Sequence, residues 1–165
     1  MNREFWKKLA SNKIWLILFV VICFRLIIYN NHIAYATYLD TTSYVNYEAN
    51  ILKGEVHVFR TPIYPYIIKL ISIFSINDVV MYKTITLLQE ILSIISVIVL
   101  YMTLKKELRN QTINYMMTIL YGCLPAIFTY NKVILTESLS ISLFVMYFCL
   151  IIKYIKNPTN NKTIL

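Results

Sequence analysis

Charge is scarce in this sequence: 15% of its 165 residues are Asp, Glu, Lys or Arg, against 58% apolar. Globular domains carry about 25% charged and 45–50% apolar residues. The shortage excludes a disordered chain and argues against a soluble globule. Cysteine numbers three, and Cys23, Cys123 and Cys149 lie singly in apolar runs with no CxxC spacing. That pattern indicates neither a disulfide framework nor a zinc site. The two histidines, His32 and His57, stand 25 positions apart, poor spacing for a metal. No internal repeat and no low-complexity tract occurs. No small-residue cleavage site follows the first apolar run, so that run reads as an uncleaved helix, not a signal peptide.

What is present is a series of apolar runs with basic ends. Sixteen Lys and Arg against eight acidic residues give a net charge of +8. The basic residues flank the apolar runs and form no separate domain, which points to a membrane boundary and away from nucleic acid. A bilayer-spanning helix needs about 20 residues. The expected fold is all-α: a polytopic membrane helix bundle of about four transmembrane helices in one domain. The spans fall near 14–33, 79–104, 113–130 and 138–155. Pro125 sits near the outer end of the third, where a neighbouring helix must satisfy the freed carbonyl. An outer loop, about 34–78, carries one or two interfacial helices. One of these is the stretch 62–76, too short to span comfortably and interrupted by Lys69; a true span is the alternative.

Counting orients the bundle. Arg3, Lys7, Lys8, Lys13, Lys105, Lys106, Arg109, Lys153, Lys156 and Lys162 fall on one side. Lys53, Arg60, Lys69 and Lys132 fall on the other, with Lys83 near that boundary. The positive-inside rule then puts both termini in the cytoplasm of a multi-pass plasma-membrane protein. Tyr29, Tyr35, Tyr38, Tyr64, Tyr66, Tyr82, Tyr121 and Tyr130 crowd the outer boundaries, as an aromatic belt does.

The leftover polar residues gather on the outer side. Asp40 opens a segment, 40–54, with helix grammar that closes on Gly54. Asp40, Tyr44, Tyr47 and Ile51 share one face of it. Asp40 is either an N-cap, or a carboxylate facing an outer site. Arg60 lies beside Pro62 and Pro65; its guanidinium suits either phosphate recognition or snorkelling. Glu137 starts the fourth helix, where it complements the dipole, with Thr136 or Ser138 as cap. Arg25 and Glu90 are the deepest charges. Lys83 and Glu90, seven apart, share a face of the second helix. A charge cluster inside the bundle or simple pairing explains them equally.

In this order the pieces resemble the N-terminal part of a GT-C type membrane glycosyltransferase. The likeness is to the bacterial branch related to dolichyl-phosphate-mannose protein mannosyltransferases and lipid A aminoarabinose transferases. The motifs are Asp40 with Tyr44; Ala49, Leu52 and Gly54; and Arg60, Pro62, Tyr64 and Pro65. Then come Lys83, Gln89, Leu100-Tyr101 and Lys105-Lys106, and finally Pro125 and Leu135-Thr136-Glu137. The resemblance implies transfer of a sugar from a polyprenyl-phosphate donor in the membrane lipid to a glycan, lipid or protein acceptor on the outer face. It makes Asp40 the catalytic base and Arg60 the cation for the leaving phosphate. Tyr44, Tyr64, Lys83 and Glu137 become substrate-binding candidates. Some members use a divalent metal and some do not; no ligand spacing here decides it. Relatives have at least twice as many membrane helices, so the chain is expected to be an incomplete enzyme. A non-enzymatic scaffold, or a small transporter subunit with Arg25, Lys83 and Glu90 along a path, are the competing readings.

Overall fold

The computed structural model describes residues 13–29, 37, 39–47 and 62–156. Among these the fold is helical. Helix α1 spans Ile14–Tyr29, α2 Leu39–Val45, α3 Ile63–Ile73 and α4 Asp78–Glu107. Helix α5 spans Gln111–Cys123 and α6 Pro125–Phe128; a 3₁₀ turn, Thr129–Lys132, leads on to α7, Thr136–Lys156.

The boundaries follow from local chemistry. Asn77, in extended backbone, accepts the Val80 N–H on its side chain at 2.9 Å and starts α4. Asp78 in the first turn and Lys105 and Lys106 in the last turn complement the dipole of this 30-residue helix. Asn110 caps α5 in the same way through the Thr112 N–H, at 2.9 Å. We expect Asn77→Ala to cost about 1 kcal/mol. A lowered midpoint in denaturing detergent, with helix content kept, is the readout; an unmoved midpoint would discount the cap.

Two helices, α4 and α7, are long and apolar enough to cross a membrane. The third span expected at 113–130 is not one straight helix. Leu124, before Pro125, takes extended backbone (φ −69°, ψ 111°), and the axis bends by 46° between α5 and the stretch from Pro125 to Lys132. Proline lacks the N–H and disfavours helical backbone in its predecessor, so the chain breaks there. The described part of the first expected span is the 16-residue α1. Helix α3 covers most of the expected interfacial stretch in 11 residues. The loop helix predicted over 40–54 is seen as the seven-residue α2; 48–54 lie outside the described residues.

Helix α4 is the centre, packed against α1, α3, α5 and α7. The middle of its buried face is polar, with Thr86, Gln89, Ser93 and Ser96 between Met81 and Ile85 at one end and Val97 and Tyr101 at the other. The buried residues of α5, Asn114, Thr118 and Gly122, and those of α7, Ser138, Ser142 and Cys149, are small or polar. Large side chains point outward instead, among them Phe19, Leu120, Phe144, Phe148 and Leu150. Only 17% of the most apolar window of α7 is buried. Small residues inside and large apolar residues outside is the arrangement of helices packed in lipid, where close backbone approach replaces hydrophobic burial. Two apolar cores remain. One joins Ile14, Ile17, Leu18 and Val21 of α1 to Val97 and Tyr101 of α4. The other joins Tyr44, Tyr64, Ile68, Met81, Ile85 and Ile134.

Candidate functional site

The second core carries the first-loop residues. Thr41 of α2 donates to the Ile134 carbonyl at 3.3 Å. The Tyr44 hydroxyl lies 3.3 Å from Thr136 Oγ1, and the Tyr44 and Tyr64 rings meet edge to face at 5.3 Å. Gln89 fixes the strip they dock on: its Nε2 donates to the Val133 and Leu135 carbonyls, both at 3.2 Å. Those two bonds settle which end of the amide is which, so Oε1 faces away as an acceptor. Thus α2, α3 and the start of α7 are pinned to one end of α4.

Between α3, α4 and α7 runs an apolar groove of about 270 Å³, with Tyr64 and Gln89 among its lining residues. The Tyr64 hydroxyl and Gln89 Oε1 are buried and find no hydrogen-bond partner among the described residues. Burial raises the Tyr64 phenol above its ordinary value, and nearby Tyr44 and Glu137 push it the same way. The hydroxyl therefore stays protonated, a donor at the groove's edge.

Of the residues singled out from the sequence, Tyr44, Tyr64 and Glu137 come together here. Asp40 is on the same short helix as Tyr44, exposed, in the first turn of α2; Leu39 precedes it as the first helical residue, so Asp40 is not the N-cap. Glu137 is exposed in the first turn of α7, with Thr136 Oγ1 donating to it at 3.5 Å. Ser138 does not cap: its hydroxyl donates to Asn131 Oδ1 at 2.6 Å. Lys83 is exposed, half a helical turn from Met81 and Ile85, which face this core. It does not join the cluster. Arg60 lies outside the described residues. Among the described residues no three His, Cys, Asp or Glu gather closely enough to hold a metal ion.

A separate polar hub ties the bundle together. Arg25 is buried, and its Nη1 donates to Glu90 Oε1 at 2.7 Å and to Ser93 Oγ at 3.2 Å. Its Nε donates to the Gly122 carbonyl at 2.9 Å. That carbonyl is in the last turn of α5, which ends before Pro125 and leaves its final carbonyls without partners inside the helix, so α1 satisfies one of them. Glu90 Oε2 accepts from Asn131 Nδ2 at 2.8 Å and from the Tyr29 hydroxyl at 3.0 Å. The hydroxyl also reaches the Phe128 carbonyl at 2.8 Å. Arg25 and Glu90 stand out in the sequence as deep charges and Tyr29 only as an aromatic of the outer belt; Asn131, Ser93 and Gly122 do not stand out. Glu90 pairs across to α1 and not with Lys83 on its own face.

Comparison with protein-family models, with curated proteins and with solved structures finds no match to this chain.

Proposed function

We propose that the chain is a four-span membrane module of a glycosyltransferase that draws on a polyprenyl-phosphate-linked sugar and works at the outer face. The spans are α1, α4, the bent α5–α6 pair and α7. Support for the common inner end comes from Lys156 pairing with Glu107 and from Lys13 over the Tyr115 ring. These contacts gather the basic ends of α1, α4 and α7 on one side, the cytoplasmic one by the charge rule.

One observation carries the reading. Tyr44, Tyr64 and Glu137, from three separate segments, converge beside an apolar groove that has two unmet polar atoms at its lining. A lipid-linked sugar has this division: a long apolar chain and one polar end. In the proposed reaction the isoprenoid lies along the groove. Asp40 takes the proton of the acceptor hydroxyl as that oxygen bonds to sugar C1 and the C1–phosphate oxygen bond breaks. Arg60 meets the charge that develops on the leaving phosphate. Glu137 and the Tyr64 hydroxyl orient polar groups of donor and acceptor. The hub disfavours a transport path, since Arg25 and Glu90 are engaged with each other, with α5 and with the 3₁₀ turn.

The test is sugar transfer in membranes from cells expressing the gene at its own locus. Asp40→Asn should lower transfer from the lipid-linked pool by about a hundredfold or more, with membrane insertion unchanged. Full transfer by Asp40→Asn removes Asp40 from the mechanism. Absence of transfer by the unaltered protein favours a non-enzymatic scaffold.

A further inference from the structure

A second cleft, of about 420 Å³, opens between α1 and α4 and shares only the ridge of Ile91 and Ile95 with the α3 groove. Its walls are apolar, with Ile22 and Leu26 on α1 and Leu87 and Ile94 on α4. Its volume is in the range of small-ligand sites. Its polar lining is Arg25, Tyr29, Glu90 and Lys132.

The charges there do not balance. Both oxygens of Glu90 are engaged, Oε1 by Arg25 and Oε2 by Tyr29 and Asn131. Arg25 keeps Nη2, which is buried and has no acceptor among the described residues. The Arg25 side chain is 2% exposed, and its guanidinium is backed by the Phe128 ring at 5.4 Å. Lys132 stands over the Tyr29 ring at 4.3 Å. Two cations and one anion leave the cleft one positive charge in excess. Depth matters too. With Lys105 at the inner boundary, Glu90 lies about 22 Å up α4, some 8 Å below the outer edge of a hydrocarbon layer about 30 Å thick. An uncompensated charge at that depth is costly. The site therefore calls for an amphiphile that brings negative charge from the outer surface and an apolar chain along α1 and α4.

We propose that this cleft holds one anionic phospholipid of the outer leaflet, its phosphate against Lys132 and beside the buried Arg25 guanidinium. A zwitterionic headgroup would add a cation beside two others and leave the excess in place. The inference rests on the membrane placement of α4 given above and not on sugar transfer.

The test is native mass spectrometry of the full chain in detergent, with phosphatidylglycerol and phosphatidylcholine of identical chains. The expected result is one retained phosphatidylglycerol, preferred on the order of tenfold, from two cations near one phosphate. Lys132→Gln should cut that preference to about threefold or less, Lys132→Arg should keep it, and Lys153→Gln at the other membrane face should leave it unchanged. Leu26→Trp, which fills the cleft from its lipid-facing wall, should lose the retained lipid, with helix content checked by circular dichroism. Equal retention of both lipids, or an unaltered preference in folded Lys132→Gln, would overturn the assignment. Displacement of the lipid by millimolar inorganic phosphate would show a free-phosphate site and overturn it as well. Because no sugar is involved, these outcomes are independent of the transfer assay.

Discussion

Glu90→Ala is expected to abolish the folded bundle. The carboxylate holds Arg25 at 2.7 Å, Asn131 at 2.8 Å and Tyr29 at 3.0 Å. It thereby joins α1, α4 and the turn before α7. Truncation leaves the Arg25 guanidinium buried with its main counter-charge gone. Breaking a buried pair from one side costs about 3–5 kcal/mol. Asn131 Nδ2 is left unmet as well, which adds about 1–3 kcal/mol, while the Tyr29 hydroxyl keeps the Phe128 carbonyl. The sum, about 4–8 kcal/mol, matches the net stability of a domain in the lower half of the usual range of about 5–15 kcal/mol. The measurement is the monodisperse fraction in detergent and the midpoint of denaturation. Glu90→Gln should lose less, since one acceptor remains, but the new amide N–H groups confront the Asn131 amide. The double change Arg25→Met with Glu90→Met should recover part of the loss, because an apolar pair leaves no stranded charge. A Glu90→Ala protein that purifies and melts like the parent would show that the hub does not hold the bundle.

How much of this was readable beforehand depends on whether the signal is local. The extents of α4 and α7 are local: unbroken apolar sequence, a polar start and lysines at the end place both within a few residues of the expected spans. The break before Pro125 is signalled by the proline itself, but the group that meets the Gly122 carbonyl at the broken end, Arg25, comes from another helix. Partner choice is not local. Lys83 and Glu90 share a face of α4, which is true, yet the face is shared with α1, and its arginine wins Glu90. Which helix lies beside which is set by packing of small residues such as Ser93, Ser96 and Gly122. On α5 and α7 the ordinary rule that apolar residues mark the buried face misleads, because the outward residues there are the larger and more apolar ones. At the outer end, the short sequence spacing of Asp40 and Tyr44 correctly put them on one small helix. Bringing Tyr64 and Glu137 to Tyr44 took the Gln89 bonds to the strip at Val133 and Leu135, a long-range contact that no periodicity encodes.

Gly122→Ala is expected to destabilise the α1–α5 contact, and the reason is atomic distance. A methyl placed on Gly122 would lie 2.6 Å from Val21 Cγ2 and 3.1 Å from Cγ1. Val21 is fully buried, and its branched side chain has one strongly preferred rotamer in a helix, so it cannot turn aside. The helices must part instead. Overpacking of this kind costs about 1–3 kcal/mol. Parting also strains the 2.9 Å bond from Arg25 Nε to the Gly122 carbonyl, so the damage reaches the hub. Val21→Ala makes the room that the new methyl needs, at the cost of a small cavity when made alone. The two changes together should therefore be less harmful than their sum, by about 1 kcal/mol or more in a double-mutant cycle. Gly122→Leu should exceed what any movement of Val21 accommodates and yield no folded protein. Additive losses in the cycle would mean that the two residues do not touch, and that small side chains on α5 serve something other than the close approach of α1.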